Sequence, residues 1–113
     1  SLWDVFKEPA EERFQGRSLL SYFTELDRGE VRLGVAGKIH TPNDASRCLE
    51  NGADFILLGR AAILHHDYPL QVIANPEFKP VKTPVSPEYL HSQGLSEAFV
   101  TYMSRWSGFV EGL

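Results

Sequence analysis

Two stretches of the chain are almost wholly apolar, and a polar segment with helical spacing separates them. Residues 31–36 read VRLGVA and are followed by Gly37, and residues 54–58 read DFILL and are followed by Gly59. Continuous apolar runs of this length are typical of strands that are buried on both faces of a parallel sheet. The pattern therefore predicts two parallel strands whose carboxyl ends lie at the same edge.

The segment between the two strands carries helix start and stop signals. Thr41 suits the N-cap, Pro42 suits the first helical position, and Asp44 stands where an acid completes a capping box. Gly52 follows Asn51 and can end the helix in a left-handed conformation. The face predicted to pack inward comprises Ala45, Cys48 and Leu49. Strand, helix and strand together predict a right-handed βαβ unit.

Further helices are predicted on both sides of this unit. One begins at Ser18, ends at Gly29 and serves only packing. Asp67 caps a short helix that Pro69 opens, and Ser96 caps the last helix of the chain. The apolar face of the first of these helices comprises Leu19, Leu20, Tyr22, Phe23 and Leu26. The stripe of the last comprises Phe99, Met103 and Trp106.

Prolines recur between these last two helices and predict an extended connector. They stand at Pro76, Pro80, Pro84 and Pro87, with apolar residues Phe78, Val81 and Val85 between them. This spacing leaves no room for a long helix, and the apolar residues indicate that the segment lies against the protein surface. The chain is thus divided into residues 1–75, a connector of residues 76–95, and a C-terminal helix in residues 96–113.

The glycines that follow the two strands indicate an anion site. Glycine lets an anion approach the backbone N–H groups, and a short helix that starts at Arg60 presents its N-terminus to a phosphate. Lys38 and Arg60 add positive charge at the same edge. In (β/α)8 barrels a phosphate often lies on the loops after strands 7 and 8. The candidate residues are Ala36, Gly37, Lys38, Gly59 and Arg60.

The pairing of VAGKIHTPNDA with GADFILLGRAAI resembles the last two barrel strands of the Old Yellow Enzyme-like family, the NADH:flavin oxidoreductases. The adjoining LHHDYPLQ and the aromatic tail strengthen this resemblance. It implies an α/β fold in which residues 1–75 are the C-terminal portion of a flavin-binding (β/α)8 TIM barrel, about strands 7 and 8 with their helices. A C-terminal extension follows.

In that family the glycines after strands 7 and 8 and the arginine after the second glycine hold the FMN phosphate. The resemblance carries this role to Gly37, Lys38, Gly59 and Arg60, although the family often has glycine or asparagine where Lys38 stands. It implies that NADH or NADPH reduces FMN, which then reduces an activated alkene or a similar acceptor. The catalytic groups of the family lie mostly on earlier strands, so we assign no catalytic residue and expect the fragment to be inactive alone.

Two other interpretations remain open. The chain is part of a different barrel enzyme whose substrate carries the phosphate, or it is a non-enzymatic module that associates with itself.

Composition and charge argue against nucleic-acid binding and against a membrane-spanning helix. The chain has 113 residues, 42% of them hydrophobic, and a net charge of −4. This charge provides no basic stripe for nucleic acid, and no run approaches the roughly 20 apolar residues of a membrane helix. The single cysteine excludes an internal disulfide. Because no signal peptide is evident, we expect a cytoplasmic protein.

The beginning of the chain suggests a piece of a longer protein. It starts at Ser1, and its only methionine is Met103. A (β/α)8 barrel needs about 250 residues, so the partners expected are the missing N-terminal strands. Open sheet edges also predict association into a homo-oligomer.

Aromatic residues near both ends were weighed as parts of a site. Trp3 and Phe6 either line a pocket or, more commonly for such residues, cover the core. The resemblance alone suggests that Arg105 and Trp106 reach an active site, as C-terminal residues do in some relatives.

Metal binding and nucleophilic catalysis are not expected. His65 and His66 point in different directions if they are helical, and beyond Asp67 no further ligand lies at a useful spacing. Cys48 is predicted to lie on the inner face of a helix, away from the carboxyl edge of the strands.

Overall fold

The computed structural model describes residues 4–112, and over this range the chain is mainly helical. It forms six α-helices, a 3-10 turn and one sheet of two parallel strands. The helices are α1 (Leu19–Thr24), α2 (Pro42–Glu50), α3 (Arg60–Leu64), α4 (Tyr68–Ala74), α5 (Pro87–Ser92) and α6 (Glu97–Met103), and the strands are β1 (Gly34–Val35) and β2 (Phe55–Ile56). Unit 1 ends at Gly59 and unit 2 begins at Arg60; each is compact.

The predicted parallel strand pair of unit 1 is confirmed, with α2 between its strands. Gly34 stands opposite Phe55, and Val35 stands opposite Ile56. The N–H of Leu57 donates to the carbonyl oxygen of Val35 at 2.9 Å, which continues the pairing beyond β2. The carboxyl ends of β1 and β2 therefore lie at the same edge of the sheet.

The prediction of a TIM barrel portion is wrong. The described residues form a small, α-rich fold with a sheet of only two strands, each two residues long. Barrel strands are buried on both faces, whereas Val31 is exposed and the side chains of Phe55 and Leu57 are 46% and 51% exposed. Gly34 interrupts the first apolar run, since a glycine weakens a strand and adds no side chain to the core.

Helix α2 has the predicted ends. The Thr41 hydroxyl accepts from the N–H of Asp44 at 3.1 Å, and the Asp44 carboxylate accepts from the N–H of Thr41 at 3.0 Å. Pro42 occupies the first turn, and Gly52 beyond the last turn has φ = 103°. Leu49, predicted to pack inward, is instead largely exposed.

The core of unit 1 lies on one side of the sheet. Its buried members are Val5, Leu20, Val35, Ile39, Cys48 and Ala53, with Phe6, Ala45, Ile56 and Leu58 packed against them. Helix α1 begins at the predicted Ser18 cap but ends at Thr24, well before Gly29. Only part of its predicted apolar face is therefore buried: Leu20 lies in the core, whereas Phe23 and Leu26 are exposed.

Unit 2 has a core of its own. Its buried members are Leu64, Val85, Leu90, Val100, Met103, Phe109 and Val110. Ser86 and Ser96 cap α5 and α6, the latter as predicted, through hydrogen bonds from Tyr89 and Phe99. Asp67 occupies the predicted N-cap position of α4, but its side chain makes no capping hydrogen bond and instead accepts from the Gln71 amide.

Candidate anion site

The loop after β1 has an unusual backbone. Gly37 has φ = 139°, and Lys38 has φ = 53°, the one positive φ of a non-glycine residue between residues 4 and 112. The left-handed region costs an ordinary residue about 1–2 kcal/mol. The N–H of Val5 donates to the carbonyl oxygen of Gly37 at 3.2 Å, which helps to fix the loop. Ala36, the first residue of the loop, is half-buried.

The Lys38 side chain is exposed and paired with a carboxylate. Its Nζ lies 3.7 Å from Oδ2 of Asp4, whose Oδ1 accepts from the N–H of Phe6 at 3.1 Å. The sequence analysis missed Asp4, because nothing local links residues 4 and 38. Because Lys38 is exposed and Asp4 is half-buried, this pair contributes little energy.

Asp44 fixes the other end of the same loop. Its Oδ2 accepts from the N–H of His40 at 3.1 Å as well as from Thr41. Burial opposes ionisation, but the backbone hydrogen bonds from Thr41 and His40 outweigh it and lower the pKa of Asp44. Charged Asp44 therefore holds residues 38–41 against the start of α2.

Gly59 follows β2 at the same edge as the Lys38 loop. A Cβ built at Gly59 meets nothing within 4 Å, so its backbone is approachable. Arg60 begins α3 as predicted and is exposed, but it is the first residue of unit 2. Because α3 has only five residues, it offers little helix dipole to an anion. The candidate anion site within unit 1 thus comprises Ala36, Gly37, Lys38 and Gly59.

The other candidates have structural roles. Cys48 is fully buried on the inner face of α2, as predicted. Burial and the nearby Asp44 charge raise the pKa of its thiol, although Arg47 acts in the opposite direction, so Cys48 stays a protonated thiol. Phe6 packs on the core of unit 1, with the Arg47 guanidinium 3.9 Å above its ring. Trp3 lies outside the described residues.

The C-terminal residues form an aromatic surface in unit 2. Arg105 lies 5.2 Å above the ring of Tyr102, which contacts Trp106 edge to face. Helix α6 ends at Met103, so Trp106 belongs to the turn that follows rather than to the predicted helical stripe. The proposed reach of Arg105 and Trp106 into an active site stays a prediction.

The histidine pair forms no metal centre with other side chains of residues 4–112. This range contains no group of three or more His, Cys, Asp or Glu residues placed to hold a metal ion. His66 bonds through its Nδ1 to the Gln93 amide oxygen at 2.8 Å. His65 faces inward and holds a neighbouring segment, a role that the sequence analysis missed.

No helix within the part of the chain that the structure describes has the length and apolar character needed to cross a membrane. No known protein family, curated protein or solved structure matches this chain.

Proposed function

We propose that this chain binds the phosphate group of FMN at the carboxyl edge of β1 and β2, as part of a cytoplasmic flavin oxidoreductase that uses NADH or NADPH. The observation that carries the proposal is the left-handed Lys38 directly after Gly37. Strained backbone of this kind clusters at ligand-binding sites, where the surrounding structure maintains it. The parallel pair brings Gly59 to the same edge.

The chemistry of these groups suits a phosphate. Phosphate oxygens accept hydrogen bonds from backbone N–H groups that no Cβ shields, and such concave backbone segments are known anion sites. The Lys38 ammonium adds a positive charge and exchanges Asp4 for the phosphate. When bound, FMN supplies the hydride chemistry. We assign no catalytic residue to the chain, and the groups that hold the electron acceptor must come from elsewhere in the enzyme.

Flavin binding to the full chain tests the proposal. We expect FMN to bind at least tenfold more tightly than riboflavin, which has the same ring but no phosphate. Lys38→Ala should weaken FMN binding by about tenfold, the effect of one charged hydrogen bond, and leave riboflavin unchanged. Gly59→Ala should do the same, because the added methyl group stands where the phosphate approaches. Quenching of flavin fluorescence measures each affinity.

Lys82→Ala provides the matched control, because Lys82 is another exposed lysine but lies in unit 2. Equal affinities for FMN and riboflavin would contradict the proposal, as would equal effects of Lys38→Ala and Lys82→Ala. A phosphorylated substrate is the alternative occupant of the same site. Binding of a sugar phosphate that depends on Lys38, with no preference for FMN over inorganic phosphate, would favour that alternative.

A second candidate function is self-association, and the exposed face of the sheet favours it. Phe55 and Leu57 point to the same side of β2 because they are two residues apart. Both are about half exposed, and only Gly34 lies opposite Phe55. A second copy of the chain could cover this apolar surface.

A further inference from the structure

His65 makes a hydrogen bond that only a neutral imidazole can make. The N–H of Val81 donates to its Nε2 at 2.9 Å, so this nitrogen must carry a lone pair. The proton of the neutral ring is therefore on Nδ1. The tautomer is fixed by a backbone amide sixteen residues away along the chain.

The other side of the ring agrees with this tautomer. Nδ1 of His65 lies 3.4 Å from the hydroxyl oxygen of Tyr89 on α5. That hydroxyl donates its own proton to the carbonyl oxygen of Leu64 at 2.7 Å, so its oxygen is available to accept from Nδ1–H. All three hydrogen bonds can form together only if Val81 donates to His65, His65 donates to Tyr89, and Tyr89 donates to the carbonyl oxygen of Leu64.

The middle of the segment that His65 holds is attached by this hydrogen bond and by side-chain packing. This segment, residues 76–84, is joined at its far end, where Val85 and the region of Phe109 to Glu111 exchange backbone hydrogen bonds. At its near end the N–H of Phe78 donates to Asn75 in a local turn. Between these points the Phe78 ring packs edge to face on His65, with ring centres 4.9 Å apart, and on Tyr68, with ring centres 5.8 Å apart. The Val81 side chain packs against the core of unit 2. His65 thus provides both the hydrogen bond and an aromatic contact to the same stretch.

We propose that His65 is a pH-sensitive attachment, whose neutral ring holds the Val81 amide in the middle of residues 76–84 and whose protonated ring releases that amide. Protonation places a second N–H on Nε2, directly facing the N–H of Val81. Two donors cannot bond to each other, so the hydrogen bond is lost and a charge is left in a partly buried site. The pH-dependent change is confined to unit 2.

The surroundings of the ring favour its neutral form near physiological pH. Burial lowers the pKa of His65, the charge of Asp67 opposes this effect, and His66 adds to it. From α5 the facing titratable group is Tyr89, whose pKa is raised by burial and by Asp67, so it stays protonated. The charged residues of the held segment, which are Glu77, Lys79 and Lys82, are exposed.

Nuclear magnetic resonance on the full chain tests this proposal. At about pH 7.5 the ring nitrogen shifts of His65 should show a proton on Nδ1 and none on Nε2. As the pH falls below about 6.5, the ordinary pKa of histidine, the Val81 amide signal should shift upfield and its heteronuclear NOE should fall. Both changes should follow the titration of His65, with a midpoint below that of free histidine.

Two variants separate the attachment from general acid effects. In His65→Gln the side-chain amide oxygen lies near the position of Nε2 and accepts from Val81 without titrating, so the pH dependence of the Val81 signal should disappear. In the control, His66→Gln, the neighbouring exposed histidine is removed and the pH dependence should persist. A proton on Nε2 of wild-type His65 at about pH 7.5 would overturn the proposal. This measurement uses the wild-type chain, so it does not depend on whether a variant folds. A Val81 amide that stays ordered through the titration of His65 would also overturn it.

Discussion

At the scale of single residues, Lys38 combines an ordinary exposed side chain with a backbone conformation that a lysine disfavours. Its ammonium group is exposed and paired with Asp4, which any lysine on a surface could achieve. Its backbone occupies a left-handed conformation that suits glycine or asparagine.

Replacing Lys38 measures the strain directly. Lys38→Gly removes the Cβ that the left-handed conformation disfavours, while Lys38→Val adds a β-branched side chain there. Both variants lose the Asp4 ion pair, so its energy cancels when they are compared. We expect the glycine variant to be more stable by about 2 kcal/mol, as measured by urea unfolding. Equal stabilities would show that the loop relaxes at no cost.

The role of His65 could not be predicted from its neighbours in the sequence. The residues on either side of it, Leu64 and His66, suggest only the end of a helix. Its acceptor role depends on the return of the chain at Val81, and the donor and acceptor roles of a histidine follow from its partners rather than from its own position. Sequence spacing could argue against a metal site there but could not supply this contact.

At the scale of elements, α2 is the part that sequence signals predicted best. Thr41, Pro42, Asp44 and Gly52 all act within a few residues of one another, and each does what its local chemistry favours. Such signals do not depend on the rest of the fold, which is why the caps at Ser18 and Ser96 were also predicted correctly.

The capping box of α2 should give an acid-sensitive contribution to stability. Thr41→Ala removes the acceptor of the Asp44 N–H and should lower the free energy of unfolding by about 1 kcal/mol. Because folding lowers the pKa of Asp44, its stabilising effect is present above about pH 4, the ordinary pKa of an aspartate. That effect is lost as the pH falls through the lowered pKa of the folded state.

Urea unfolding at several pH values measures both effects. Asp44→Asn should lower stability near neutral pH and flatten its dependence on pH in the acid range. Ser46→Ala, on the exposed side of the same helix, is the control; it should raise stability by at most about 0.5 kcal/mol through helix propensity and leave the acid dependence unchanged. An unchanged acid dependence in Asp44→Asn would contradict the assignment.

The strands were predicted less well than the helix between them. Residues 31–36 and 54–58 do pair in parallel, but apolar composition does not say how many neighbours a strand has. Two residues from each stretch pair as strands, and Phe55 and Leu57 remain on an open face. The number of strands in a sheet is a long-range property that the local pattern does not contain.

At the scale of the whole molecule, the chain consists of two units with separate cores. Within unit 1 a two-stranded sheet has marginal stability on its own, and packing against α2 stabilises one of its faces. The opposite face carries Phe55 and Leu57 without comparable cover. An exposed apolar face of this kind is typical of an interaction surface.

Self-association should depend on this face. We expect the weight-average mass in sedimentation equilibrium to rise with protein concentration, and Leu57→Ser to reduce that rise because it places a polar group on the face. Leu70→Ser is the matched control, since Leu70 is an exposed leucine on α4 in unit 2. A mass that stays at 12.7 kDa at every concentration would exclude self-association, and equal effects of the two variants would exclude this face.

The burial of Cys48 also gives the molecule an internal reporter. The chain has one cysteine, its thiol is fully enclosed in the core of unit 1, and a thiol reagent can reach it only when that core opens. The rate of labelling therefore follows the opening of the core of unit 1. Ligands of the Lys38 loop, which lies in the same unit, would slow that labelling, so binding could be detected without any change in colour or activity.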